Sequence, residues 1–87
     1  MTDSEKKIIL SLAEKYHVRE LFLFGSSLED SHPEDIDLGV SGIAPELFFE
    51  FYGELFRNCQ MPVDLVDLSD DTSFTRLVRR HGAKIYG

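Results

Sequence analysis

Three carboxylates stand inside stretches that otherwise read as buried strands, and that placement constrains this chain more than any other feature. The apolar run Leu21 to Phe24 leads into Gly25-Ser26. After a polar stretch of eight residues comes Asp35-Ile36-Asp37, which continues as Leu38-Gly39-Val40. Asp64 sits within Pro62-Val63-Asp64-Leu65-Val66. A carboxylate in such a run is costly to bury unless something cationic compensates it. Residues two apart on a strand share a face, with Cα atoms roughly 7 Å apart, so Asp35 and Asp37 converge. With Asp64 on a later strand, the pattern points to a bound divalent metal and to phosphate chemistry.

Composition narrows the setting. A chain of 87 residues is expected to form one domain, residues 1–87. Its core is modest because a domain this small buries only about two-thirds of its unfolded surface. Hydrophobic residues at 43% rule out a disordered chain. A net charge of −7 argues against direct, sequence-independent binding to nucleic acid. Between Arg19 and Arg57 there is no lysine or arginine, while nine acids fall from Glu20 to Glu54; a metal is attracted there, and a polyphosphate needs that metal or help from the C-terminal cluster Arg76, Arg79 and Arg80. The single cysteine, Cys59, permits no internal disulfide and suggests no cysteine-based zinc site. No apolar run reaches membrane-span length and no secretion signal is read at the N-terminus, so no membrane association and a cytoplasmic location are expected.

Periodicity gives the elements. Ser4 to Tyr16 reads as an amphipathic helix capped by Asp3 or Ser4, with Ile8, Ile9, Leu12, Ala13 and Tyr16 at helical spacing. Leu21 to Phe24 is expected to be a strand covered on both faces. Ser26 to Asp30 opens a short helix and Ser31-His32-Pro33 a turn. In the second strand Ile36, Leu38 and Val40 face one way, and Asp35, Asp37 and Gly39 the other. Pro45 suits the first turn of a helix running to about Asn58. Met61 to Asp67 is a third strand, and Ser69, Asp70, Asp71 or Thr72 caps a last helix bearing Phe74, Leu77 and Val78. Gly82 ends that helix, and Lys84-Ile85-Tyr86 forms a short extended tail. The order predicts a small α/β (α+β) fold with one sheet. Residues Phe48 to Phe56 carry more apolar side chains than one narrow face can bury, which marks a contact surface for a copy of the chain or a helical partner.

The chemistry follows from the residue types. Magnesium prefers oxygen ligands and usually takes one or two carboxylates plus substrate phosphates. Two such ions clamp the attacking and leaving oxygens of an in-line displacement at phosphorus, and Asp64 is the candidate to help deprotonate the attacking hydroxyl. Gly25 lets the backbone approach a phosphate closely, while the Ser26 hydroxyl and the amides after it bind phosphate oxygens. The plainer alternative for Asp35 and Asp37 is the polar outer face of an edge strand. His81 and Arg76, Arg79 and Arg80 near it suit a helix C-terminus, the alternative being a partner-facing or phosphate-facing role.

Gly-Ser after a strand, a polar gap, Asp-x-Asp on a strand and an Asp on a later strand resemble the DNA polymerase beta-like nucleotidyltransferase superfamily. The phrases "LFLFGSS", "DIDLGV" and "PVDLVDL", and an Arg-rich helix closed by Gly82 before Ile85-Tyr86, are most similar to its minimal nucleotidyltransferase (MNT) branch. The resemblance implies a mixed sheet flanked by helices, two Mg²⁺ ions and a nucleoside triphosphate, usually ATP. By the same resemblance Asp35, Asp37 and Asp64 hold metal, and Gly25 and Ser26 contact the triphosphate. It further implies an antitoxin that transfers AMP to a HEPN-domain toxin. The sequence departs from that branch in its shorter gap after Gly-Ser and in a loop, Ser27 to His32, that has two acids and no arginine. That departure frames an alternative: a degenerate antitoxin of the same fold that acts by protein–protein contact alone.

Overall fold

The structure is a computed structural model that describes residues 1–25 and 35–87. Its first helix, α1 (Asp3–Lys15), starts one residue earlier than the periodicity indicates, because Thr2 is the cap. The Thr2 hydroxyl accepts from the Glu5 amide at 3.1 Å, and Glu5 Oε1 accepts from the Thr2 amide at 3.0 Å. This reciprocal capping box satisfies donors that a helix start otherwise leaves orphaned. At the other end His17 takes a positive φ of 55°. The His17 amide donates to the Glu14 carbonyl and the Val18 amide to that of Ala13, so the helix ends in a Schellman turn.

The described strands are β1 (Glu20–Phe24), β2 (Ile36–Ser41), β3 (Val63–Asp67) and β4 (Ala83–Tyr86). They form one mixed sheet in the order β3-β2-β1-β4, with β2 parallel to β3 and β1 antiparallel to both β2 and β4. The expected C-terminal tail is thus the fourth strand of the sheet. A 3-10 turn, Pro45–Leu47, precedes α2 (Phe48–Asn58), and α3 (Ser73–His81) lies between β3 and β4. Among the described residues, three α-helices against a mixed sheet confirm the α+β fold class.

Alternation along the strands separates two faces. Leu21, Leu23, Ile36, Leu38, Val40, Val63 and Leu65 pack with Ile9, Leu12 and Ala13 of α1 and Phe51 and Leu55 of α2. Each of the larger side chains fully buried there contributes about 1.5–3 kcal/mol of transfer free energy. On the opposite face Phe22, Leu68 and Val78 form a smaller cluster, edged by Phe24 and Val66. The run Leu21 to Phe24 is continuous because both clusters draw on it. The same smaller face carries Asp37, so the second, thinner layer and the acids share one side of the sheet.

Two residues tie distant elements together. Buried Glu5, beyond its cap role, accepts from the Gln60 and Met61 amides at 3.1 and 3.2 Å, fastening α1 to the approach of β3. The Thr2 amide, then the amides and hydroxyl around it, hold the Glu5 carboxyl below its usual range against the opposing effect of burial. Glu54 of α2 accepts from the Tyr16 hydroxyl and pairs with Lys15 at 2.9 Å, locking α2 against α1.

Candidate active site

The parallel pairing of β2 with β3 puts Asp37 in register with Asp64, flanked by Ile36 with Val63 and Leu38 with Leu65. Residues paired across neighbouring strands project to the same side, about 4.8 Å apart. Val63 and Leu65 point into the main core, so Asp64 between them must face the other layer. Asp37 is constrained in the same way by Ile36 and Leu38. The hydrophobic pattern therefore aims both carboxylates at one place.

Asp35 precedes β2 and is exposed, as is Asp64, whereas Asp37 is half-buried. The Ile36 amide donates to the Pro62 carbonyl at 2.9 Å, so the approaches to β2 and β3 are joined just before the acids. Among the described residues, no group of three or more Asp, Glu, His or Cys side chains is gathered closely enough to hold a metal. What the backbone supplies is the Asp37–Asp64 pair, with Asp35 two residues from Asp37. One or two carboxylates with substrate phosphates are what magnesium ordinarily takes, so this oxygen-only donor set suits that ion.

Gly25 ends β1 with φ +66°, a left-handed conformation that L side chains disfavour. A Cβ built there would lie 2.6 Å from Asp37 Oδ2. Glycine is needed twice over: for the turn, and for the close approach of main chain to the acid. Phe24 and Asp37 are cross-strand partners, which places the turn directly beside the carboxylate. Ser26 lies outside the described residues, as do the short helix expected from Ser26, the turn at Ser31-His32-Pro33, and His32.

Sequence reasoning passed over Gly39 and Glu5. A Cβ at Gly39 would lie 2.8 Å from Leu68 Cδ1, so the missing side chain admits Leu68 onto the acid-bearing face. Glu5 anchors the segment that leads into β3 and hence to Asp64. The Thr-x-x-Glu spacing announces the cap, but nothing local announces the second attachment.

The other charged candidates have structural work. Asp67 accepts from the Ser69 amide at 2.9 Å and closes the turn after β3. Thr72, not Asp70 or Asp71, caps α3; Asp71 instead faces Arg76 at 3.6 Å. Arg79 pairs with Glu20 at 3.0 Å and lies over the Phe22 ring. Arg79, Arg80 and His81 all fall in the last turn of α3, where cations favour the helix end.

The chain belongs to the polymerase beta nucleotidyltransferase family, whose description, "Polymerase beta, Nucleotidyltransferase", matches residues 6–87. Among solved structures it is similar to a chain from the complex of a tri-AMPylated Shewanella oneidensis HEPN toxin with an MNT antitoxin. That match has 26% identity and a TM-score of 0.76 over 100% of this chain and 73% of that one. A toxin–antitoxin structure with AMP-PNP is similar at 24% identity and a TM-score of 0.74, covering 94% of this chain and 73% of that one. For the MntA–HepT toxin–antitoxin structure the values are 21% and 0.73, over 99% and 73%. No curated protein matches the chain. The resemblance to the minimal branch of the superfamily is thus borne out.

Proposed function

We propose that this protein moves AMP from Mg-ATP onto a hydroxyl of a protein partner, acting as the antitoxin of a HEPN-type toxin. The observation that carries the reading is the register of Asp37 with Asp64 on adjacent parallel strands, with the Gly25 turn packed against Asp37. The similar complex from Shewanella oneidensis contains an AMPylated toxin beside an MNT antitoxin, which supports the choice of reaction and partner.

In this proposal Asp35, Asp37 and Asp64 hold two magnesium ions. Bound there, the metal would neutralise the phosphates and bring the attacking and leaving oxygens into line. Gly25 and Ser26 hold the triphosphate through close main-chain approach and the serine hydroxyl. Asp64 receives the proton of the acceptor hydroxyl as its oxygen bonds to the α-phosphorus. The bridging bond from that phosphorus breaks, and pyrophosphate leaves with the electron pair.

A second reading is favoured by the sequence after Gly25, where Glu29 and Asp30 stand in place of the arginines expected there. In it the fold neutralises its partner by covering it, using exposed Phe49 and Phe56. Co-expression with the partner separates the two. If the chemistry protects, the Asp35→Asn/Asp37→Asn double variant, made to wild-type levels, fails to restore growth. Full protection by that variant overturns the enzymatic account.

A further inference from the structure

Where β1 ends against α3 there is an apolar pocket of about 180 Å³. Phe24 and Gly25 form one wall, and Phe74, Leu77, Val78 and Gly82 close it from the helix side. Among the described residues of its lining, His81 is the sole ionisable side chain, and no carboxylate, lysine or arginine takes part. The described lining is otherwise apolar, with no charge to match a phosphate and little to hydrogen-bond a sugar. An uncharged, flat, apolar-faced group is what this chemistry accepts.

Position supplies the rest. Gly25 belongs both to the pocket and to the active site, because it follows Phe24, the cross-strand partner of Asp37, and a Cβ built on it would meet the Asp37 carboxylate. A molecule whose phosphates lie at Gly25 and Asp37 therefore has the pocket as its immediate neighbour. Small-molecule sites ordinarily run to about 300–1,000 Å³; this one admits a single ring system and not a whole nucleotide. Phe74 and Leu77 remain 50% and 55% exposed, unusual for large apolar side chains on a short helix, and a ring laid over them would remove that surface from water. The Phe74 ring is already fixed edge-to-face against Phe24, with centroids 5.8 Å apart, which limits the ordering that binding requires.

We propose that this pocket receives the base of the nucleotide whose phosphates sit at Gly25 and Asp37, held by its face against Phe74 and Leu77. The inference rests on the nucleotide-binding reading of the acid site and adds to it the part of the ligand that the acids do not touch. Stacking of a base on an aromatic side chain contributes roughly 1–3 kcal/mol.

The test is calorimetric titration of the full chain with Mg·AMP-PNP and, separately, with Mg·tripolyphosphate, which has no base. Wild type is compared with Phe74→Ala, Leu77→Ser and Asp37→Asn. Both pocket positions are half-exposed, so the substitutions leave the fold intact, which circular dichroism checks. The expected result is AMP-PNP affinity about 10-fold lower in each pocket variant, with tripolyphosphate affinity unmoved. Asp37→Asn should weaken both ligands. Unchanged AMP-PNP affinity in the pocket variants, with loss in Asp37→Asn, places the base elsewhere and leaves the acid-site reading standing. A pocket variant that keeps AMP-PNP affinity and loses only its protein partner assigns the pocket to a partner side chain and overturns the proposal. Equal loss of both ligands in the pocket variants also overturns it. If wild type binds neither ligand, or Asp37→Asn binds both as wild type does, the underlying nucleotide reading falls and the base pocket falls with it.

Discussion

At the scale of single residues, Gly25 and Asp37 form one unit. A methyl group at position 25 meets both an unfavourable φ and the Asp37 carboxylate. Gly25→Ala should therefore cost about 1–2 kcal/mol of stability, seen as a lower thermal midpoint, and should weaken Mg-nucleotide binding together with it. Glu20 makes a second prediction. The Ser41 hydroxyl, then Arg79 and Lys84, hold its carboxyl down from an ordinary value of 4.5 to about 2. A depressed carboxylate contributes stability that is complete above 4.5 and is lost as pH falls toward 2. Thermal midpoints measured across that interval should drop more steeply in wild type than in Glu20→Gln; parallel curves would show that the three partners contribute nothing. Position 25 was legible in the sequence because a glycine at the end of an apolar run has few other uses. The roles of Glu5 and Glu20 were not, since their partners lie far along the chain at Gln60, Met61 and Arg79.

At the scale of elements, alternation and helical spacing located the three described helices and β1 to β3, while β4 was expected only as an extended tail and the side chains each element would bury were less accessible. Phe74, Leu77 and Val78 fit one helical stripe, yet only Val78 is buried. The reason is the size of the surface available: α3 lies on the small Phe22–Leu68 cluster, and Val78 with buried Thr75 fills it. The expectation of surplus apolar surface on α2 is met, with Phe51 and Leu55 fully buried and Phe49 and Phe56 at 80% and 60% exposure. Those two phenylalanines are seven positions apart, so they lie on one stripe of the helix. Phe49→Ser/Phe56→Ser should change unfolding free energy by no more than about 0.5 kcal/mol. Binding to the protein partner, measured by co-purification or titration, should fall at least 10-fold. Unchanged binding would remove this face from the interface.

On the scale of the whole molecule, the sheet divides labour between its sides. One is covered by α1 and α2 and carries most of the apolar burial; the other brings the ends of β1, β2 and β3 together at Gly25, Asp37 and Asp64. The carboxylates were readable because each interrupts an apolar alternation. Their convergence depends on β2 and β3 being neighbours, which the sequence pattern suggests and only strand order establishes. The place of β4 beside β1 was not readable, since a short run such as Lys84-Ile85-Tyr86 carries no mark of its partner. The central claim is transfer of the α-phosphate with its nucleoside to the partner. It is tested most directly by incubating the chain and its HEPN-type partner with Mg²⁺ and ATP labelled at the α- or the γ-phosphate. Label from the α-position on the partner, none from the γ-position, and none with Asp37→Asn is the expected result. No α-label on the partner with folded wild-type protein, or equal labelling with Asp37→Asn, would contradict it.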